Sequence, residues 1–167
     1  MSPSRSTVSR LDGIDADFMQ AGVSLVVGAA SNDKSPAIVR ATGCRLLDDL
    51  GEVSIVVSAS QGAEVLRCIR ENGAVAVVFS QPSTHRTIQL KGKDARVVGA
   101  TAEDRESAVR YRDLFATELA PLGFEPLLIR TLLDCPPADL VAIRFTPEDA
   151  FIQTPGPNAG QRLAVAP

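Results

Sequence analysis

Tryptophan is absent from this chain, tyrosine occurs once, and aromatic residues make up only 4% of 167 residues. Modules that stack bases on aromatic platforms need more rings than that, so they are excluded. A surplus of cations is missing too, because the formal net charge is -3. Binding along a phosphate backbone needs excess Lys and Arg, so no nucleic-acid partner is expected. One histidine cannot build a His-rich centre, so no metal is expected. The cysteines Cys44, Cys68 and Cys135 are odd in number and form no Cys-x-x-Cys. Reduced thiols are the expectation, not a disulfide framework. No apolar run approaches the roughly eighteen residues of a bilayer span, so no membrane partner is expected. Arg5 and Arg10 are followed by no apolar segment, which makes the cytoplasm the expected location. Gly-x-Gly-x-x-Gly, Walker and Gly-x-Ser-x-Gly sequences are lacking. Rossmann, P-loop and nucleophile-elbow chemistries are therefore set aside.

What is present is a hydrophobic fraction of 45%. A chain of this length and composition forms one domain with its own core. Residues 1–10 are Ser-rich and expected to be disordered. Asp12 is a candidate cap for a short helix through about residue 20. Strands are predicted at 23–30, 37–47 and 52–58, separated by the turns Ser31–Pro36 and Asp48–Gly51. A helix at about 61–71 has Ser60 as a candidate cap and stops at Asn72-Gly73. Residues 74–79 are nearly all apolar, as in a strand buried on both faces. A long strand follows over 86–99, with a bend or bulge at Gly92-Lys93-Asp94. Helices are predicted at about 101–119, capped by Thr101, and 125–133. A last strand covers 139–146, and the tail 151–167 is expected to be irregular. This order contains no βαβ repeat. The expected class is mostly β (α+β): a six-stranded antiparallel barrel or curved sheet with peripheral helices.

Three segments carry candidate chemistry. Ser80 to Gly92 is a polar loop turning at Pro82 that runs into a strictly alternating strand. Arg86, Ile88 and Leu90 share one parity; His85, Thr87, Gln89 and Lys91 share the other. Such a polar face suits a flat polar ring or a phosphate. The turn Ser58-Ala59-Ser60-Gln61-Gly62 passes from strand to helix. It serves either as a simple cap or as a phosphate seat, with free N–H groups and the Ser58 and Ser60 hydroxyls as donors. Arg40 lies among Ile38, Val39 and Ala41, either as an edge cation or as a phosphate partner. Arg67 reads as a solvated charge.

Taken in order, Ser35-Pro36-Ala37-Ile38-Val39-Arg40, Ser58-Ala59-Ser60-Gln61-Gly62 and Arg86-Thr87-Ile88-Gln89-Leu90-Lys91-Gly92 resemble the FMN-binding split barrel of the pyridoxamine 5'-phosphate oxidase-like superfamily. The resemblance covers about residues 15–147 within a barrel domain of residues 11–150. It implies a homodimer with a flavin in each of two clefts between subunits. Arg40 would contact phosphate or ribityl. Ser58, Ser60 and Gln61 would lie at the phosphate, Arg86 and Thr87 at the ring edge, and His85 over the ring or towards substrate. The implied activity is an FMN-dependent oxidoreductase acting on a small molecule. The alternative is a non-catalytic flavin-, F420- or haem-binding protein of the same fold. Three departures stand out. No Arg-Lys pair lies near Ser60-Gln61, Ala41-Thr42-Gly43 follows Arg40 where the oxidases continue to a lysine, and the oxidases' late tryptophan is missing.

Overall fold

The computed structural model describes residues 16–47 and 51–163. The expectations for residues 1–10, the Asp12 cap and the Asp48–Leu50 part of a turn lie outside the described residues. The chain runs α1 (Ala16–Met19), β1 (Ser24–Ala30), β2 (Pro36–Arg40), β3 (Gly43–Leu47), β4 (Glu52–Ser58), α2 (Ala63–Asn72) and β5 (Val75–Ser80). It continues with β6 (Thr87–Gly92), β7 (Arg96–Gly99), α3 (Ala102–Leu119), α4 (Pro126–Leu132), β8 (Leu140–Phe145), β9 (Asp149–Ile152) and β10 (Arg162–Leu163). The class is α+β, with two antiparallel sheets. One sheet has the order β10-β9-β6-β5-β1-β2, the other β3-β4-β8-β7.

Among the described residues ten strands replace the expected six, for traceable reasons. The strand expected over 37–47 changes sheets at its middle. Ala41 donates its N–H to Leu25 in one sheet, and Thr42 donates to Val56 in the other. The strand expected over 86–99 breaks at the anticipated bend, so β6 joins the large sheet and β7 the small one. The tail is not wholly irregular. Residues 149–152 pair with β6, and Arg162 and Leu163 pair with β9. Alternation is too short there to announce a strand; the open edge of β6 supplies the missing partner.

The strand buried on both faces is β4, not β5. All seven residues of β4 are buried, whereas β5 alternates buried Val75, Val77 and Phe79 with half-buried Ala76, Val78 and Ser80. β4 sits between β3 and β8 and carries α3 on its outer face. Val56 packs there against Ala100, Ala108 and Leu140. No described helix covers the outer face of β5 in this way.

The main core joins inward residues of both sheets, such as Leu25, Val27, Ile55, Val77, Phe79, Leu90, Ile143 and Phe145. Val65, Leu66 and Ile69 of α2 close it on one side. Gly73 ends α2 in the left-handed conformation and returns its N–H to Ile69, as Asn72-Gly73 predicts. Thr101 and Asp104 form a complete capping box at the start of α3. No described helix is long and apolar enough to cross a membrane.

Candidate functional site

Arg40 ends β2 with its side chain outward, because its neighbour Val39 points into the core. Its guanidinium donates to Ser24 Oγ at 3.3 Å and lies 5.6 Å from the Phe115 ring centre. No carboxylate pairs with it among the described residues. Beside it opens a groove of about 590 Å³, within the size range of small-molecule sites. Arg40, Phe115, Leu119, Phe124, Ile129 and Leu132 line it. Its walls come mainly from α3, α4 and the link between them, with Ser24 and Pro82 also lining it, and Arg40 is its one cation among the described residues.

Arg40, Ser58 and Gln61 also share the wall of a smaller cavity of about 30 Å³. Of the sequence-predicted turn residues, Ser58 and Gln61 are thus brought to Arg40, and Ser60 is not. Their donors, however, are already in use. Ser58 donates to Asp139 Oδ2 at 2.5 Å, and the Ser60 hydroxyl donates to the same oxygen at 2.8 Å. Ser60 N–H reaches Asp139 Oδ1 at 3.0 Å. The two serine hydroxyls lie 3.1 Å apart, and Gln61 N–H donates back to Ser58 Oγ. Ser60 is not the cap of α2. That position is Gly62, which brings no side-chain acceptor. Hydrogen bonds from the Ser58 and then the Ser60 hydroxyl hold the Asp139 carboxyl below its ordinary pKa.

His85, Arg86 and Thr87 form a separate cluster at the entry to β6. His85 is exposed and left-handed, with φ of 61°. Arg86 stacks its guanidinium 4.2 Å from the centre of the Phe18 ring. The Thr87 hydroxyl lies 2.7 Å from Ser80 Oγ and donates to the His85 carbonyl. Thr87 N–H donates to Thr154 Oγ1 from the tail at 2.9 Å. None of the three lines either cavity beside Arg40. The link between the clusters is Ser24, which bonds Arg40 and pairs across the sheet with Ser80.

Three contributors were not visible in the sequence. Asp139 reaches the β4–α2 turn only because β8 pairs with β4, placing Leu140 opposite Ser58. Glu118 of α3 anchors the β5–β6 loop by accepting from Ser83 N–H and Oγ. Burial pushes the Glu118 carboxyl up, but the Ser83 and Gln81 donors outweigh it and leave its pKa lowered. Thr154 covers the Thr87 backbone from a segment expected to be loose. Among the thiols, Cys44 is pushed up to about 12 by burial, and all three cysteines are free.

No family model matches the chain, and no curated protein matches it in sequence. Solved structures do match. HupZ of Group A Streptococcus is 16% identical, with a TM-score of 0.52, aligning 87% of this chain with 95% of that one. An F420 reductase is 16% identical at a TM-score of 0.51, over 80% and 93% of the two chains. General Stress Protein 26 from Bacillus anthracis is 15% identical at 0.50, over 88% and 92%. The chain shares the fold of these proteins, an α+β split barrel. At these identities the likeness concerns the split barrel itself and leaves the chemistry to be argued from side chains.

Proposed function

We propose that this split-barrel protein is a flavin-binding oxidoreductase, a homodimer that uses FMN on a small-molecule substrate. The observation that carries this reading is Arg40, a cation with no carboxylate partner among the described residues, at the mouth of a largely apolar groove. A flavin has the matching form, a flat and mostly apolar ring system with an anionic end. In this reading Arg40 faces the ribityl chain at the groove mouth. Phe115, Leu119 and Phe124 exclude water, while His85, Arg86 and Thr87 lie outside this groove. The cofactor would supply hydride chemistry, while the chain binds and orients it. The fold also serves an F420 reductase, so F420 is the alternative, with haem after it. The experiment is the visible spectrum of the purified protein, before and after added FMN, F420 and haem. The two-banded absorption of oxidised flavin is expected, bleached by NADH or NADPH. A colourless protein that takes up none of the three would sink the proposal.

The dimer half of the proposal rests on the outer face of the large sheet. Val26, Gly28, Ile38, Ala76 and Val78 lie there side by side through the β2-β1-β5 register. Ile38 is 76% exposed, on a face too apolar to be left to solvent. Ile38→Asp is expected to convert a dimer into a monomer in light scattering coupled to gel filtration. A wild-type protein that is already monomeric overturns this part.

A further inference from the structure

We infer that Asp139 is a specificity-determining residue: its carboxylate occupies the anion seat of the β4–α2 turn and turns the cleft against a phosphate there. This rests on the flavin reading of the same cleft. It adds that the chain takes a flavin lacking the phosphate, such as riboflavin, about as readily as FMN.

The geometry is that of a bound anion. Two hydroxyls and one backbone N–H converge on the two oxygens of Asp139. A phosphate at this turn would use those same donors. The seat is covalently supplied and cannot diffuse away. Its backbone is held as firmly as its side chain, since Ala59 N–H donates to the Asp139 carbonyl at 2.7 Å. The 3-10 turn Pro137–Asp139 delivers the carboxylate directly into β8. The cavity that Ser58 and Gln61 line together with Arg40 is about 30 Å³, enough for water but not for a phosphate.

Charge acts in the same direction. The donor hydrogen bonds keep Asp139 ionised at neutral pH. A phosphate dianion placed on these donors would meet it at contact distance. Arg40 is the one cation on the wall of the neighbouring cavity among the described residues, and the Asp134 carboxylate shares that wall, so no spare cation is left to offset a second anion.

The test is Asp139→Asn, which keeps an acceptor for Ser60 N–H but removes the charge; Asp139→Ser serves as a second, smaller variant. Riboflavin and FMN are titrated against the parent and both variants by flavin fluorescence. The preference for FMN over riboflavin is expected to rise about fivefold in the variants, the size of one like-charge contact removed where water screens it fully. In parallel, inorganic phosphate is added in a thermal-shift measurement. It is expected to stabilise the variants and to leave the parent unchanged. Phosphate that stabilises parent and variants alike, or none of them, overturns the inference. So does an FMN preference equal in parent and variants. If phosphate stabilises only the variants while no flavin binds any of the three proteins, the inference holds and the flavin reading fails.

Discussion

Asp104→Ala is expected to destabilise the fold by about 3 kcal/mol, read as a lower midpoint of urea unfolding. Asp104 is fully buried at the first turn of α3. Its Oδ1 accepts from Arg45 Nη1 and from Ser54 Oγ, both at 3.0 Å. Its Oδ2 accepts from Thr101 N–H at 3.0 Å and faces Arg144 Nη2 at 3.6 Å. One carboxylate therefore ties α3 to β3, β4 and β8. Alanine would strand two cations and break the capping box. The Nε of Arg144 already lacks a hydrogen-bond partner, so this arginine depends on Asp104. The expected loss sits at the low end of the 3–5 kcal/mol range for broken buried pairs. The reason is that Arg45 and Arg144 keep side-chain exposures of 24% and 23% and can reach water.

The pH dependence has a defined sign. Burial pushes the Asp104 carboxyl up, but the Thr101 N–H, Arg45 and Ser54 outweigh it, so its folded pKa lies below the ordinary value. A depressed folded pKa means that the contribution is fully present above the unfolded pKa of about 3.9. It is lost as pH falls through the folded pKa. The gap between wild type and Asp104→Ala should therefore be constant near neutrality and shrink only in strong acid. A loss under about 1 kcal/mol at neutral pH would refute the role given to Asp104.

Gly22→Ala is the second large effect, expected to cost about 2–4 kcal/mol from left-handed strain and overpacking. Gly22 links α1 to β1 with φ of 71°. A Cβ there would lie 2.5 Å from Leu114 Cβ and 2.6 Å from the Leu114 carbonyl carbon. The obstacle is the backbone of α3, not a side-chain end that can swing away. Helix α3 cannot retreat, because Asp104 holds its start and Tyr111, Phe115 and Ala116 are packed in the core. Any shift that does occur moves Phe115, the groove wall beneath Arg40, so ligand affinity should fall together with stability. Gly22→Asn separates the two causes. Asparagine tolerates the left-handed region but still brings a Cβ. It should remain clearly destabilised; recovery to wild-type stability in urea would show that strain alone was at issue.

Helices were the most legible part of the sequence, because their signals are local. Thr101 with Asp104 three residues on, and Asn72-Gly73 at the end of α2, are written within one turn of chain. Strands were legible as apolar segments, while their partners were not. Residues 37–47 read as one strand because alternation does not record which sheet each half joins. β9 went unread because a short strand at an edge depends on the strand already waiting there. The burial of β4 was misassigned to β5, since apolar content does not say which strand a helix will cover.

The candidate site divides along the same line. Residue types and spacing determined that Arg40, the Ser58–Gln61 turn and the His85–Thr87 strand mouth carry polar chemistry on an otherwise apolar frame. They also determined the class of fold, through the order of elements. Only the tertiary structure decided which of these groups meet and which are already engaged. It put Arg40 on a groove built by α3 and α4, set His85, Arg86 and Thr87 apart, and seated Asp139 on the serine hydroxyls. The physical reason is that hydrogen bonds and charge pairs form between residues far apart in the chain. Asp139 lies 79 residues from Ser60, and only the β4–β8 register places its carboxylate on that turn.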